Sequence, residues 1–302
     1  MGVRIASTGI SRANGTFSIV EHSGRAARHS LERAGVTPSQ VGVLINTGIF
    51  RDSNTVEPAV AALIQKEAGI GLDYEFGDPR SFSFDLMNGA TGVLNAVQVA
   101  QSILETAGAG HVLIVSGDTH PSLTRSAADD EFPYATSGGA LLLEYADGTA
   151  GFDRVHTVNG DGGPLVESYV DTATMGTVGR GLMTVEREPG YESRLLEIAT
   201  EAGRRALDAV AGVDPATTVL ISSTPTPKFP HLLADALGLG AVRTPDLSEG
   251  DPHTAALPLA YHSAVEEDSL SAYTTVLFVA AGAGPSAAAA IYRLPAPADI
   301  PA

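Results

Sequence analysis

The sequence predicts an α/β protein, and three observations carry that prediction. Segments of strand and helix character alternate along the chain. Val112–Val115 and Val276–Val279 are continuously apolar, as strands are when both faces of their sheet are covered. Two stretches also resemble each other. Leu31–Pro38 leads into Val41–Thr47, and Leu207–Pro215 leads into Val219–Ser223; both read as a helix, a Gly/Pro turn and a buried strand. Val112–Gly117 and Val276–Gly282 form a second matching pair. Self-similarity over this distance predicts two halves of like topology, residues 1–160 and 161–302.

In order, the first half reads as strand Val3–Gly9, helix Ile19–Ala34, strand Val41–Thr47, helix Glu57–Glu67 and strand Ser81–Leu86. Helix Gly89–Ala107 and strands His111–Gly117 and Gly139–Tyr145 follow. The helix after Gly89 carries Val93, Leu94, Ala96, Val97, Val99, Ala100, Ile103 and Leu104. Apolar residues occupy most of its circumference, which predicts burial in the protein centre. The second half reads as helix Tyr191–Val210, strand Thr218–Ser222, helices Pro230–Leu237 and Ala255–Glu267, and strands Thr274–Ala280 and Ala287–Leu294. Gly160–Gly181 is Gly-rich and weakly periodic, and reads as a long surface or lid loop that controls access.

Composition excludes several classes of function. The 302 residues are 44% hydrophobic, enough for a large core. There is no cysteine, so disulfides, thiolate metal sites and a cysteine nucleophile are out of reach. No histidine spacing resembles a zinc site. A Walker-type phosphate loop and a dinucleotide fingerprint are absent, so neither a metal nor a bound cofactor is expected. The formal net charge of −17 argues against nucleic acid and anionic membranes as partners. Arg25, Arg28 and Arg33 share one helix and Arg204 and Arg205 another; both groups read as solvated faces rather than docking patches. No apolar run reaches the ~18 residues of a membrane helix, and the N-terminus has no signal-peptide pattern. A cytoplasmic protein is expected.

The candidate chemistry centres on Ser83–Leu94, a strand that passes through a tight turn into the apolar helix. Such a junction presents a nucleophile well, because the first helical amides and the helix dipole favour negative charge there. The presenting position holds Ala90, which has no nucleophilic atom. Three other segments are expected to converge on it. Leu220–Thr226 is a strand end with a hydroxyl-rich loop. Gly250–Pro258 sets His253 at a loop-to-helix junction, among small residues that allow close approach of a ligand. Val279–Ala287 is a Gly-rich turn between buried strands, whose amides are candidate oxyanion donors. Asp118 and His120 stand near a strand end, either as polar loop chemistry or with no role.

Together these segments resemble the 3-oxoacyl-acyl-carrier-protein synthase III-like proteins of the thiolase superfamily. In that family Phe-Asp and a short loop deliver a nucleophilic cysteine in a Cys-x-Gly-Phe-like pattern. Phe84-Asp85 followed by Ala90-Thr91-Gly92-Val93 puts Ala90 on the cysteine. The Val-Pro-His-Gln-Ala-Asn stretch falls on Ile221–Thr226, with Ser223 on the first catalytic histidine. The Gly-Asn-Thr motif resembles Pro252-His253-Thr254, with His253 on the second catalytic position after a short deletion; an ungapped alignment puts Asp251 there. The final Gly-rich hairpin matches Ala281–Ser286.

The resemblance implies a thiolase-like fold of two pseudo-repeated halves in α/β/α/β/α layers. It implies catalytic positions at Ala90, Ser223 and His253, and substrate contacts at Asn88, Thr91, Gly282 and Gly284. Thr91 is expected to point away from the reacting atoms and not to serve as nucleophile. The implied substrate is an acyl thioester of coenzyme A or acyl carrier protein, with no further cofactor. The implied assembly is a homodimer or a heterodimer with a homologous synthase. Three readings of Ala90 stand open: a replacement of a natural cysteine; a natural acyltransferase without a covalent intermediate, using Ala90 and Gly284 amides and His253 as base; and a non-catalytic subunit paired with an active relative. The enzymatic readings expect Ala90 at the bottom of an interior tunnel with His253 within reach.

Overall fold

The computed structural model describes residues 2–12, 15–52, 59–72, 81–106, 108–121, 132–169, 173, 183–282 and 284–295. The first elements are β1 (Gly2–Arg12), α1 (Ile19–Ala34), β2 (Val41–Asn46), α2 (Val60–Ala68), β3 (Phe82–Asp85), α3 (Gly92–Glu105), β4 (His111–Asp118) and β5 (Ser137–Ala146). Next come β6 (Gly151–Phe152), β7 (His156–Asn159), β8 (Val166–Tyr169), β9 (Thr184–Arg187), α4 (Tyr191–Ala209) and β10 (Thr218–Ser222). The last are α5 (Phe229–Leu237), β11 (Val242–Arg243), α6 (Ala256–Glu266), β12 (Thr275–Gly282) and β13 (Ser286–Arg293).

The helix–turn–strand echo in the sequence is a structural repeat. α1 ends on Gly35 in the left-handed region, and a short 3-10 turn opening on Pro38 leads into β2. α4 is followed by Gly212, also left-handed, and a 3-10 turn opening on Pro215 leads into β10. Glycine relieves the Cβ clash of that backbone, and proline presets the first residue of the short helix.

The repeat extends to the sheet. Its order is β11-β10-β12-β13-β6-β1-β5-β4-β2-β3, with β7 paired to β13. Outward from the centre, β1-β5-β4-β2-β3 is mirrored by β6-β13-β12-β10-β11. In both runs the first three strands are mutually antiparallel and the last three parallel. β1 and β6 join the runs in the middle.

Three apolar clusters set the layers. α1 and α2 cover one face of β2, β4 and β5 through Ala27, Leu31, Ile64, Leu113 and Leu142. α4 and α5 cover one face of β10, β12 and β13 through Leu195, Ala202, Leu233, Leu277 and Ile291. α3 and α6 fill the space between the two halves and touch strands of both, through Val93, Leu94, Val97, Leu257 and Tyr261. The result is helices, sheet, helices, sheet, helices, each apolar stripe covered.

The differences from expectation lie at element ends and in short strands. α3 begins at Gly92, not Gly89, and α2 at Val60, not Glu57. Residues 57, 58 and 107, which the sequence reading gave to helices, lie outside the described residues. α3 is not wholly enclosed: Gln98, Ser102 and Glu105 reach solvent. The Gly160–Gly181 segment is not all loop, since β8 lies in it and pairs with β9; residues 170–172 and 174–181 are outside the described set. β6, β7, β8, β9 and β11 span two to four residues, too few for a period-2 pattern to stand out. No helix among the described residues is long and apolar enough to cross a membrane.

Leu94 is 1% exposed in the central layer and tests its tightness. Leu94→Ala is expected to lower unfolding stability by about 2–5 kcal/mol. Urea denaturation measures it.

Candidate active site

The site forms where four segments end at the same edge of the structure. At the first, Asp85 closes β3. Its carboxylate accepts hydrogen bonds from Asn46 Nδ2 (2.9 Å), Val60 N (3.0 Å) and Ala61 N (2.8 Å). It thereby caps α2 and locks the strand end. Leu86 N donates to Asn46 O at 2.8 Å, and Gly89 turns the chain with φ +53°. Only glycine enters that region readily, so the turn depends on it. Ala90 follows, 4% exposed, just before the start of α3.

Ser223 follows β10 and is tied to β12. Its amide donates to Val279 O (3.0 Å), and its hydroxyl accepts from Ala281 N (3.0 Å). The hydroxyl thus serves the backbone and does not meet His253. Gly282 ends β12 beside it.

The 251–254 segment brings the imidazole. Ala135 N donates to Asp251 O at 2.9 Å, strapping this turn to the Tyr134 segment. Asp251 Oδ1 accepts from Thr224 Oγ1 (3.0 Å) and His253 N (2.9 Å). His253 has φ +48°, an uncommon conformation for a residue with a Cβ. Backbone strain of this kind gathers where a side chain must be aimed. The imidazole is aimed at Asp118, with Nδ1 3.0 Å from Oδ2.

Asp118 is fully buried at the end of β4. Oδ1 accepts from Ile49 N (2.9 Å) and Phe50 N (2.8 Å). Oδ2 accepts from His253 Nδ1, Thr254 N (3.1 Å) and Thr254 Oγ1 (2.5 Å). Burial pushes the carboxyl up, but His253 and these donors outweigh it and hold the group below its ordinary value. Conversely, burial pushes the His253 imidazole down, while Asp118 and then Asp251 raise it above its ordinary value. An acceptor at Nδ1 leaves Nε2 for the cavity. Tyr134 stacks on the ring at 4.2 Å and 23°, and Phe50 backs Tyr134 at 5.2 Å. Burial raises the Tyr134 hydroxyl, so it stays protonated.

Ala90, Ser223, Asp251, His253 and Gly282 line one cavity of about 30 Å³, walled by Tyr134, Tyr191 and Arg187. That is room for one or two waters. Tyr134, Tyr191 and Leu195 line the same cavity, which opens on one side. Three expected substrate contacts lie elsewhere. Asn88 is exposed and its amide donates to Asn95 Oδ1 (2.8 Å). Thr91 is buried with its hydroxyl donating to Asn88 O (2.6 Å). Gly284 is exposed, with open space where a Cβ would stand.

Sequence reasoning missed the role of Asp118, which stood only as a neighbour of His120. His120 packs against Phe132, and Asp118 bonds a histidine 135 residues away in the chain. The available signal was a carboxylate closing a continuously apolar strand, since ligands bind beyond the carboxyl ends of parallel strands. Arg25, Arg28, Arg33 and Arg205 each pair with a glutamate, and Arg204 donates to Ala236 O at 3.3 Å.

No family model matches the chain. The architecture is thiolase-like, the fold of the ketoacyl synthase III proteins. Superposition on 3-oxoacyl-(acyl carrier protein) synthase III of Pseudomonas aeruginosa PAO1 gives a TM-score of 0.77 over 100% of both chains at 19% identity. By sequence the chain is 26% identical to β-ketoacyl-[acyl-carrier-protein] synthase III of Sphingopyxis alaskensis over 275 residues, 89% of this chain and 82% of that one. It is 28% identical to the synthase III of Brucella canis over 272 residues, 86% of this chain and 79% of that one. Its relatives are therefore transferases of the ketoacyl synthase III kind.

Asp118→Asn removes the charge that raises His253 and leaves the burial that lowers it. The imidazole is expected to titrate at lower pH in the variant than in the parent chain. NMR of the ring protons against pH reads both values.

Proposed function

We propose that the protein is a ketoacyl synthase III-like acyltransferase that moves acyl groups from thioesters without a covalent acyl-enzyme. The thioester, of coenzyme A or acyl carrier protein, places its carbonyl against Ala90. One observation carries this reading: an imidazole held through Nδ1 by a buried carboxylate, with Nε2 facing a cavity that Ala90 lines.

A thioester is already activated, so a thiol nucleophile is dispensable if the acceptor is deprotonated and the oxyanion is held. His253 Nε2 is the base, worth about 10²–10⁴-fold. The Ala90 amide, before the start of α3, is the oxyanion donor, worth about 3 kcal/mol. Asp118 is a positioning residue that fixes the tautomer and stabilises the imidazolium. Ser223 shapes the wall through its bonds to β12 and does not act as a base. Gly282 lets the acyl group approach the wall closely. The relatives support a place in fatty acid or polyketide biosynthesis, and with it a cytoplasmic enzyme.

Two substitutions test this. His253→Ala is expected to lower thiol release from an acyl thioester about 10²–10⁴-fold with the fold intact by circular dichroism. Ala90→Cys is expected to take up an acyl group from acyl-coenzyme A, read as a mass increase. Unchanged release in the first variant removes His253 from the mechanism; an unmodified second variant argues against thioester binding at position 90.

A second reading, the partner subunit, is favoured by a different observation. Among the described residues β3 is a sheet edge, and Phe82 within it and Met87 after it are 54% and 51% exposed. Large apolar residues on an open edge mark a contact surface. We propose a dimer through this edge. Light scattering is expected to give twice the chain mass, and Phe82→Glu the single chain mass. A monomeric parent chain would point to a heterodimer with a homologous synthase.

A further inference from the structure

The cavity also identifies the acyl acceptor. Its side-chain hydroxyls are spoken for. Ser223 Oγ accepts from Ala281 N, and Tyr191 donates to Pro225 O at 3.0 Å. Tyr134 is held protonated by burial and stacks flat on the imidazole. Ala90 has no nucleophilic atom. The acceptor therefore enters from outside, and the space beside His253 is about 30 Å³. An ordered water needs a space of that order and two to four polar partners. Among the described residues, His253 Nε2 and Asp251 Oδ2 have no hydrogen-bond partner, and both residues line the cavity.

We infer that water is the acceptor and that the protein hydrolyses acyl thioesters, an inference that rests on the thioester reading above. Water bound between Asp251 and His253 gives a proton to Nε2 as its oxygen bonds to the thioester carbonyl carbon. The carbonyl π pair moves to oxygen and is held by the Ala90 amide. When the carbonyl reforms, the C–S bond breaks and its electron pair leaves on sulfur. The proton on Nε2 passes to the thiolate. The products are a carboxylic acid and a free thiol, and no other reactant is consumed.

The charged and titratable groups around the ring are Asp118 on β4, Asp251 on its own turn, Tyr134 stacked on it and Arg187 on β9. Catalysis needs neutral Nε2, so the rate falls as pH drops through the His253 titration. Asp118→Asn moves that limb to lower pH, which a merely structural Asp118 would not do.

The experiment incubates the full chain with acetyl-, butyryl- and octanoyl-coenzyme A in H₂¹⁸O and follows free thiol and acid mass. The expected result is one acid per thiol, each acid carrying one ¹⁸O from solvent, at a rate indifferent to added ethanolamine or glycerol. His253→Ala and His253→Gln are expected to lose about 10²–10⁴-fold; the glutamine keeps a donor toward Asp118 and guards against misfolding. Thiol release that requires ethanolamine or glycerol overturns water as acceptor while the thioester reading stands. No release with any thioester, together with an unmodified Ala90→Cys, overturns both. An acid limb that Asp118→Asn leaves in place overturns the pair as the base.

Discussion

The site depends on one buried carboxylate. Asp118 accepts five hydrogen bonds from two stretches of chain, 49–50 and 253–254. It sets the loop after β2, the His253 ring and the start of the 253–255 turn in one step. An unpartnered carboxylate at that depth would cost several kcal/mol, so the donors are obligatory. The same constraint explains the left-handed backbone of His253. The strain there is offset by the bonds that His253 and Thr254 make to Asp118.

The fold supplies the position. Two mirrored runs of strands bring the carboxyl ends of β4, β10 and β12 to the same place, and α3 starts there from between the halves. A doubled α/β sheet has its natural crevice at this point. Here Ala90 lines the crevice with a methyl group, beside the Asp118–His253 carboxylate–imidazole pair. Catalysis by such a pair needs only an activated substrate and a small acceptor.

Much of the fold was legible in the sequence because its signals are long. α1 and β10 begin and end where their patterns and turns predict, and the repeat is written in Leu31–Thr47 and Leu207–Ser223. The site was legible in part. Ala90, Ser223, His253 and Gly282 came together because each stands at a strand or helix end. Asn88 does not line the cavity, because a turn residue's side chain can face outward while its backbone lies near the site. Asp118 and Tyr134 were hidden for a different reason. Their contacts to His253 span more than a hundred residues, and no local period records a tertiary pairing. The size of the cavity was equally unreadable, since side-chain packing decides it.

A bound substrate analogue provides the most direct test. A crystal structure with an acyl-coenzyme A analogue in which CH2 replaces the thioester sulfur, a ketone that keeps the carbonyl but cannot be cleaved, would fix the reacting geometry. The carbonyl oxygen should lie about 3 Å from the Ala90 nitrogen, with a water between His253 Nε2 and the carbonyl carbon. An analogue seated elsewhere, or an imidazole turned from Asp118 with Nε2 away from the carbonyl, would contradict the central claim.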